Sequence, residues 1–162
     1  MPSLFRKVMV ALTGSLIVIS VAARQPSAQT PTQSPYIGAD ACKDCHAVQF
    51  SSWAETKHSK ALNKLQAVNR EGNACIKCHV TGSPEMIAAD WAMPRFPNVQ
   101  CEGCHGPGRA HVDAATTGDA VTAKPVKTTE DTCVRCHNDT SPHYKPFYYS
   151  AMVGMVHKKG KG

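Results

Sequence analysis

The stretch Cys42-Lys43-Asp44-Cys45-His46 decides the fold of this chain, because its spacing returns three more times. The other copies are Cys75-Ile76-Lys77-Cys78-His79, Cys101-Glu102-Gly103-Cys104-His105 and Cys133-Val134-Arg135-Cys136-His137. A C-x-x-C-H sequence is typical of c-type haem attachment. Two thiols add across the two vinyl groups of one haem, and the adjacent His becomes the proximal ligand of the iron. The four copies predict four haem c groups, with proximal iron ligands His46, His79, His105 and His137.

The cysteine count supports this interpretation. The chain has eight cysteines, and all of them lie in the four motifs: Cys42, Cys45, Cys75, Cys78, Cys101, Cys104, Cys133 and Cys136. A single C-x-x-C pair also occurs in zinc half-sites and in redox dithiols. A His directly after each pair, four times out of four, is expected of neither class. We therefore expect all eight cysteines to be covalent haem attachment points.

Four further histidines match the number of distal ligands that four irons need. They are His58, His111, His143 and His157. In an ordinary protein each would be interpreted as a core or surface residue, and His143, beside Pro142 in a predicted turn, is equally compatible with a surface role. Methionines are alternative axial ligands that raise the reduction potential, but the histidine supply favours packing against haem for Met86 and Met93. No residue is predicted to be catalytic.

The N-terminal residues resemble an export sequence. Arg6 and Lys7 precede an apolar run over 8–23, which ends in small residues. This pattern predicts a signal peptide over 1–23 and a periplasmic location. The alternative is an uncleaved membrane anchor, because the run is close to the lower limit for a span. Only in that case would the protein contact a membrane.

Composition indicates how the rest of the chain is organised. Residues 24–35 are polar and Pro-rich, which predicts a flexible linker, and 36–162 form the predicted tetrahaem domain. At about 35 residues per haem, the polypeptide is too thin to build a core without the haem faces. We therefore predict a mainly α, loop-rich fold. Nucleic acid is not an expected partner, because the modest positive charge is offset by haem propionates and no basic recognition module is present.

Hydrophobic periodicity predicts where the helices lie. The strongest pattern starts with a capping box at Ser52 and Glu55, continues through His58 and stops at Gly72. Weaker helical patterns cover 85–92, 109–117 with His111, and 144–157.

Longer motifs give a resemblance to a known family. They are Trp53 followed by His58-Ser59-Lys60-Ala61; Val99-Gln100-Cys101-Glu102-Gly103-Cys104-His105-Gly106-Pro107-Gly108 with His111; and Cys136-His137-Asn138, Ser141-Pro142 and Val156-His157. Over 36–160 the chain resembles multihaem cytochromes of the cytochrome c-554 family. The resemblance implies short helices around haems that stack in pairs.

The resemblance also implies distal ligands. His111 would ligate the haem on His46, His58 the haem on His105, and His157 the haem on His137. The haem on His79 would have no distal side chain unless His143, a departure from the family pattern, closes that position.

The function predicted from these features is electron transfer between redox partner proteins outside the cytoplasmic membrane. A first alternative is an enzyme with one five-coordinate haem that acts on nitrogen oxides, hydroxylamine or peroxide. A second is a conducting filament, in which His157 or His143 ligates a haem of the next subunit. These alternatives depend on whether the far side of the haem on His79 is closed and on which chain supplies each distal histidine.

Overall fold

Short helices joined by loops make up the computed structural model, which describes residues 33–65, 74–118 and 124–159. The α-helices of this part are α1 (Ala47–Ala54), α2 (Pro84–Ala89), α3 (Cys101–His105), α4 (Arg109–Thr116), α5 (Glu130–Val134) and α6 (Tyr149–Met152). Five 3₁₀ turns accompany them: Ala39–Cys42, His58–Lys60, Leu62–Lys64, Ile76–Cys78 and Val153–Met155. The same residues contain no β-strand, only an isolated bridge between Val80 and Pro97. The predicted mainly α, loop-rich fold class is confirmed.

Local sequence explains why the helices are short. Helix α2 starts at Pro84, and the Ser83 hydroxyl caps it by accepting from the Met86 N–H at 3.4 Å. Helix α3 ends at His105, and the next residue, Gly106, has a φ of 75° and a ψ of 177°, which are open essentially to glycine alone. The chain is thus divided into single turns that present the C-x-x-C-H motifs.

The long helix predicted from Ser52 is wrong. Helix α1 already starts at Ala47 and ends at Ala54, so Ser52 lies inside it and donates to the Val48 carbonyl at 2.9 Å. Hydroxyls then compete for the backbone carbonyls that would continue the helix: Thr56 donates to Trp53 at 2.7 Å. The segment continues as 3₁₀ turns, and residues 66–73 lie outside the described part.

The other helix predictions agree better with the structure. The pattern over 109–117 corresponds to α4, and the pattern over 85–92 corresponds to the shorter α2. The last helix starts at Tyr149 rather than at Tyr144, and it continues into the turn Val153–Met155. The predicted signal peptide lies outside the described residues.

A small apolar cluster surrounds the second motif. Leu62, Ile76, Val80 and Ile87 are buried together, and Ile76 is fully inaccessible. Cluster residue Ile76 belongs to the motif itself, so the segment that presents Cys75 and Cys78 is anchored by its own side chain. In the part of the chain that the structure describes, no helix is both long and apolar enough to cross a membrane.

Candidate haem-binding sites

Each C-x-x-C-H motif folds as a turn of helix. In a helical turn, residues i, i+3 and i+4 project from the same side, so both thiols and the imidazole of a motif face one ligand. Motif three is helix α3 itself. In the others, a backbone bond from the His N–H closes the turn: His46 to Cys42 at 2.9 Å, His79 to Ile76 at 2.8 Å, and His137 to Cys133 at 2.9 Å.

Three motif histidines face a histidine from elsewhere in the chain. The ring centres are 6.3 Å apart for His46 and His111, 6.0 Å for His58 and His137, and 6.1 Å for His105 and His157. The interplanar angles are 26°, 69° and 36°.

These separations fit two imidazoles on opposite sides of one metal ion. A metal–imidazole bond of about 2.0–2.1 Å, with the ring centre about 1.1 Å further out, puts two such centres about 6 Å apart. Each pair offers two nitrogen ligands, whereas a structural zinc ion takes four protein ligands. Within the described residues, no group of three or more His, Cys, Asp or Glu side chains converges on a common point. The donor set therefore fits an iron whose remaining ligands come from a porphyrin.

Two of the three pairings differ from those that the resemblance implied. His111 faces His46 as expected. His58, however, faces His137 rather than His105, and His157 faces His105 rather than His137. Beside His157, the Lys158 N–H donates to the Ser52 hydroxyl at 2.9 Å, which ties the C-terminal segment to α1.

The proximal histidine of the second motif is the exception. Within the described part of the chain, His79 contacts no other imidazole ring, and neither does His143. The His143 side chain is exposed, and its backbone N–H donates to the Ser141 hydroxyl at 3.3 Å. The structure therefore does not bring His143 to His79.

Backbone carbonyls fix the orientation of several imidazoles. The Nδ1 atom of His79 donates to the Ala61 carbonyl at 2.7 Å, and that of His105 donates to the Val126 carbonyl at 3.2 Å. His157 makes the same kind of bond to the Lys158 carbonyl at 2.8 Å. Because Nδ1 carries the proton, Nε2 has a free lone pair for a metal.

His137 is oriented differently. The Phe147 ring stacks on its imidazole, with centres 4.8 Å apart and planes inclined by 20°. On the other side of the pair, burial lowers the pKa of His58, and the facing His137 lowers it further. Both effects favour the neutral imidazole, which is the form that binds metals.

Thiols from different motifs lie side by side. The pKa of Cys42 is raised, first by a hydrogen bond with Cys101 and then by burial. The pKa of Cys136 is raised in the same order, by a hydrogen bond with Cys78 and by burial. Motif one therefore adjoins motif three, and motif two adjoins motif four.

Glu102 is a site residue whose role the sequence did not predict. It lies between the two cysteines of motif three, it is only 4% exposed, and its carboxylate accepts from three backbone N–H groups. These donors are Ile37 at 3.0 and 3.2 Å, Gly38 at 2.7 Å and Gly108 at 2.7 Å. A Cβ atom at Gly108 would lie 3.2 Å from a carboxylate oxygen of Glu102. Through the Glu of the string C-E-x-C-H-G-P-G, hydrogen bonds to one carboxylate therefore connect motif three to the segment before motif one.

The methionines that were weighed as axial ligands are not placed as ligands. The Met93 side chain is 86% exposed. Met86 packs beside Gly82, where a Cβ atom added to the glycine would lie 3.5 Å from the Met86 Cβ atom. The histidine pairs remain the best axial ligand sets.

Taken together, the helical C-x-x-C-H turns and the facing imidazoles define a multihaem c-type cytochrome. The family model described as cytochrome c554 and c-prime matches residues 41–106. The match covers less than half of the chain, and it agrees with the family predicted from the motifs.

A curated protein and a solved structure are similar to parts of this chain. Cytochrome c-554 of Nitrosomonas europaea is 32% identical over 94 residues, which cover 47% of this chain and 40% of that protein. The matched region thus spans less than half the length of this curated relative. The structure titled as the reduced state of cytochrome c554 from Nitrosomonas europaea has 25% identity and a TM-score of 0.47, and it covers 77% of this chain and 79% of that one.

Proposed function

We propose that this chain is an exported tetrahaem cytochrome that transfers electrons between redox partner proteins outside the cytoplasmic membrane. The observation that carries the proposal is the set of three facing imidazole pairs, each joining a C-x-x-C-H motif to a distant histidine. When bound, haem supplies the one-electron couple of its iron. The eight cysteines hold the haems covalently, and the four motif histidines are the proximal ligands.

Three motif histidines and the histidines that face them would hold three of the haems: His111 with His46, His58 with His137, and His157 with His105. A haem held by the chain on both sides would have no iron position left for a substrate, so these three sites would serve electron transfer. Bis-imidazole ligation also gives lower potentials than His/Met ligation.

The adjoining motifs supply a route for electrons. Cys42 beside Cys101 and Cys78 beside Cys136 put attachment points of different motifs in contact. Arg135 of motif four also donates to the Gly103 carbonyl of motif three at 3.4 Å. Together these contacts connect the motifs in the order one, three, four, two.

Haem counting tests the proposal. The chain is expressed with a c-type haem maturation system, and its mass and pyridine haemochrome spectrum are measured. We expect four covalent haems per chain, all reducible by dithionite and reoxidised by an electron-accepting protein. A chain with fewer haems would refute the tetrahaem assignment, and haems that do not exchange electrons with any protein acceptor would refute the carrier role.

A second candidate function is binding of a small molecule at the haem on His79. It is favoured by one observation, namely that His79 faces no imidazole in the described part of the chain, while His143 is exposed. The bond from Nδ1 of His79 to the Ala61 carbonyl would strengthen this ligand as a donor to iron.

Carbon monoxide provides the test. We expect the reduced protein to bind one carbon monoxide per four haems, and His143→Ala to bind the same amount. If the original chain binds none and His143→Ala binds one, then His143 is a ligand and the site is closed. A filament in which His157 ligates a haem of the next subunit is not proposed, because His157 faces His105 of its own chain.

A further inference from the structure

We propose that Glu102 sets the reduction potential of the haems on His46 and His105, and that its buried charge keeps both potentials low. The inference rests on the proposed function, since it concerns haems bound at these two motifs. It goes beyond that function because it assigns a redox role to a residue that is neither a ligand nor an attachment point.

The surroundings of Glu102 keep a negative charge inside the protein. The side chain is 4% exposed, and its partners are the backbone N–H groups of Ile37, Gly38 and Gly108. Hydrogen bonds from backbone N–H groups to a carboxylate are charge-assisted. They carry no net positive charge, and among the described residues no Lys, Arg or His forms an ion pair with Glu102. The carboxylate is therefore hydrogen-bonded, but no opposite charge neutralises it.

This charge lies at the junction of two motifs. Glu102 directly follows Cys101, whose thiol contacts Cys42 of motif one. Its effect reaches the segment before motif one, where burial raises the pKa of Tyr36 and the Glu102 carboxylate raises it further. Gly38, another partner of the carboxylate, accepts from the Cys42 thiol through its carbonyl at 3.8 Å.

A fixed negative charge near a haem favours the oxidised iron, which carries one more positive charge than the reduced iron. The interaction is stronger in a buried site than in water, because the effective dielectric constant is lower. The haems on His46 and His105 are attached at this junction, whereas those on His79 and His137 belong to the other pair of motifs. We therefore expect Glu102 to act on two potentials of the four.

The test is a redox titration of the holoprotein. Glu102→Gln keeps the shape of the side chain and removes its charge, Glu102→Asp keeps the charge and shortens the side chain, and Glu55→Gln neutralises an exposed carboxylate as a control. The low-spin signals of the two haems are assigned with His111→Ala and His157→Ala, and each is followed against the applied potential.

We expect Glu102→Gln to shift the haems on His46 and His105 to more positive potentials and to leave the others nearly unchanged. Glu102→Asp should lower thermal stability but keep the original potentials, and Glu55→Gln should change neither. Unshifted potentials in Glu102→Gln would overturn the inference, as would an equal shift in Glu102→Asp. The haem count of the same samples is independent, so this inference can fail while the proposed function stands.

A further variant covers the case in which Glu102→Gln yields no folded holoprotein. The Gln100 side chain accepts from the Ala39 N–H at 2.7 Å beside the same junction, and Gln100→Glu preserves this bond while it adds a charge. We expect more negative potentials for the same two haems. Potentials equal to those of the original chain would show that charge at this junction does not reach the irons.

Discussion

Replacing His58 by alanine tests the ligand arrangement most directly. On the proposed function, the three imidazole pairs would give three low-spin haems, and His79 is without a facing imidazole among the described residues. We therefore expect one high-spin haem of four in the resting protein. His58→Ala opens the far side of the haem on His137 and raises the count to two, so the high-spin signal should double. His143→Ala is the matched control, because that side chain is exposed and should leave the spin count unchanged.

Electron paramagnetic resonance with spin quantification measures the change, and a second set of variants identifies the haem. In a Cys133→Ala/Cys136→Ala background, motif four binds no covalent haem, so removing His58 should add no further high-spin iron. In a Cys101→Ala/Cys104→Ala background, the gain should persist.

If the gain is instead absent in the Cys101→Ala/Cys104→Ala background and persists in the Cys133→Ala/Cys136→Ala background, then His58 pairs with His105. That result would refute the pairing inferred from the ring geometry. An unchanged spectrum in His58→Ala would remove His58 from the ligand set altogether. The same logic applies to His157→Ala, which we expect to open the haem on His105.

Two further predictions concern the scaffold. Gly106→Ala forces a Cβ atom onto a backbone with φ of 75° and ψ of 177°, so we expect about 1–3 kcal/mol of destabilisation in thermal or denaturant unfolding. Gly154→Ala is the control and should be nearly neutral, because a Cβ atom there meets nothing within 4 Å. Equal losses of stability in the two variants would contradict the strain argument. Trp53→Phe removes the indole N–H bond to the half-buried Val99 carbonyl at 2.9 Å and should cost about 0.5–1.5 kcal/mol by the same assay. Trp91→Phe, at a tryptophan without such a bond in the described part of the chain, is the comparison, and unchanged stability in Trp53→Phe would argue against a contribution from this bond.

The attachment motifs and the set of candidate ligands could be predicted from sequence because each C-x-x-C-H unit is local. One helical turn places its thiols and imidazole on the same side whatever the rest of the chain does. The partner of His58 could not be predicted from its neighbours in the sequence. It depends on how the turn His58–Lys60 meets motif four, and hydroxyl groups such as that of Thr56 interrupt the periodic pattern that pointed to one long helix.

Glu102 shows a different limit of sequence reasoning. Its position inside C-x-x-C-H draws attention to the flanking cysteines, and an acidic residue at that point would normally be interpreted as solvent-exposed. Its burial becomes evident only when Ile37 and Gly38, more than 60 residues away in sequence, supply backbone donors. The glycines after motif three then have a physical reason, because Gly108 must leave room for the carboxylate.

The crossed histidine pairs explain how so small an apolar core suffices. The paired histidines are separated by 52 residues for His105 and His157 and by 79 for His58 and His137. A covalent link that closes a loop of this length stabilises a fold by about 4 kcal/mol, because it restricts the unfolded chain. An iron bound between a covalently attached proximal histidine and its distal partner would act as such a link, though a weaker one. On the proposed function, the facing histidines would therefore also hold distant segments together, so loss of a distal histidine should reduce stability and change spin state at the same haem.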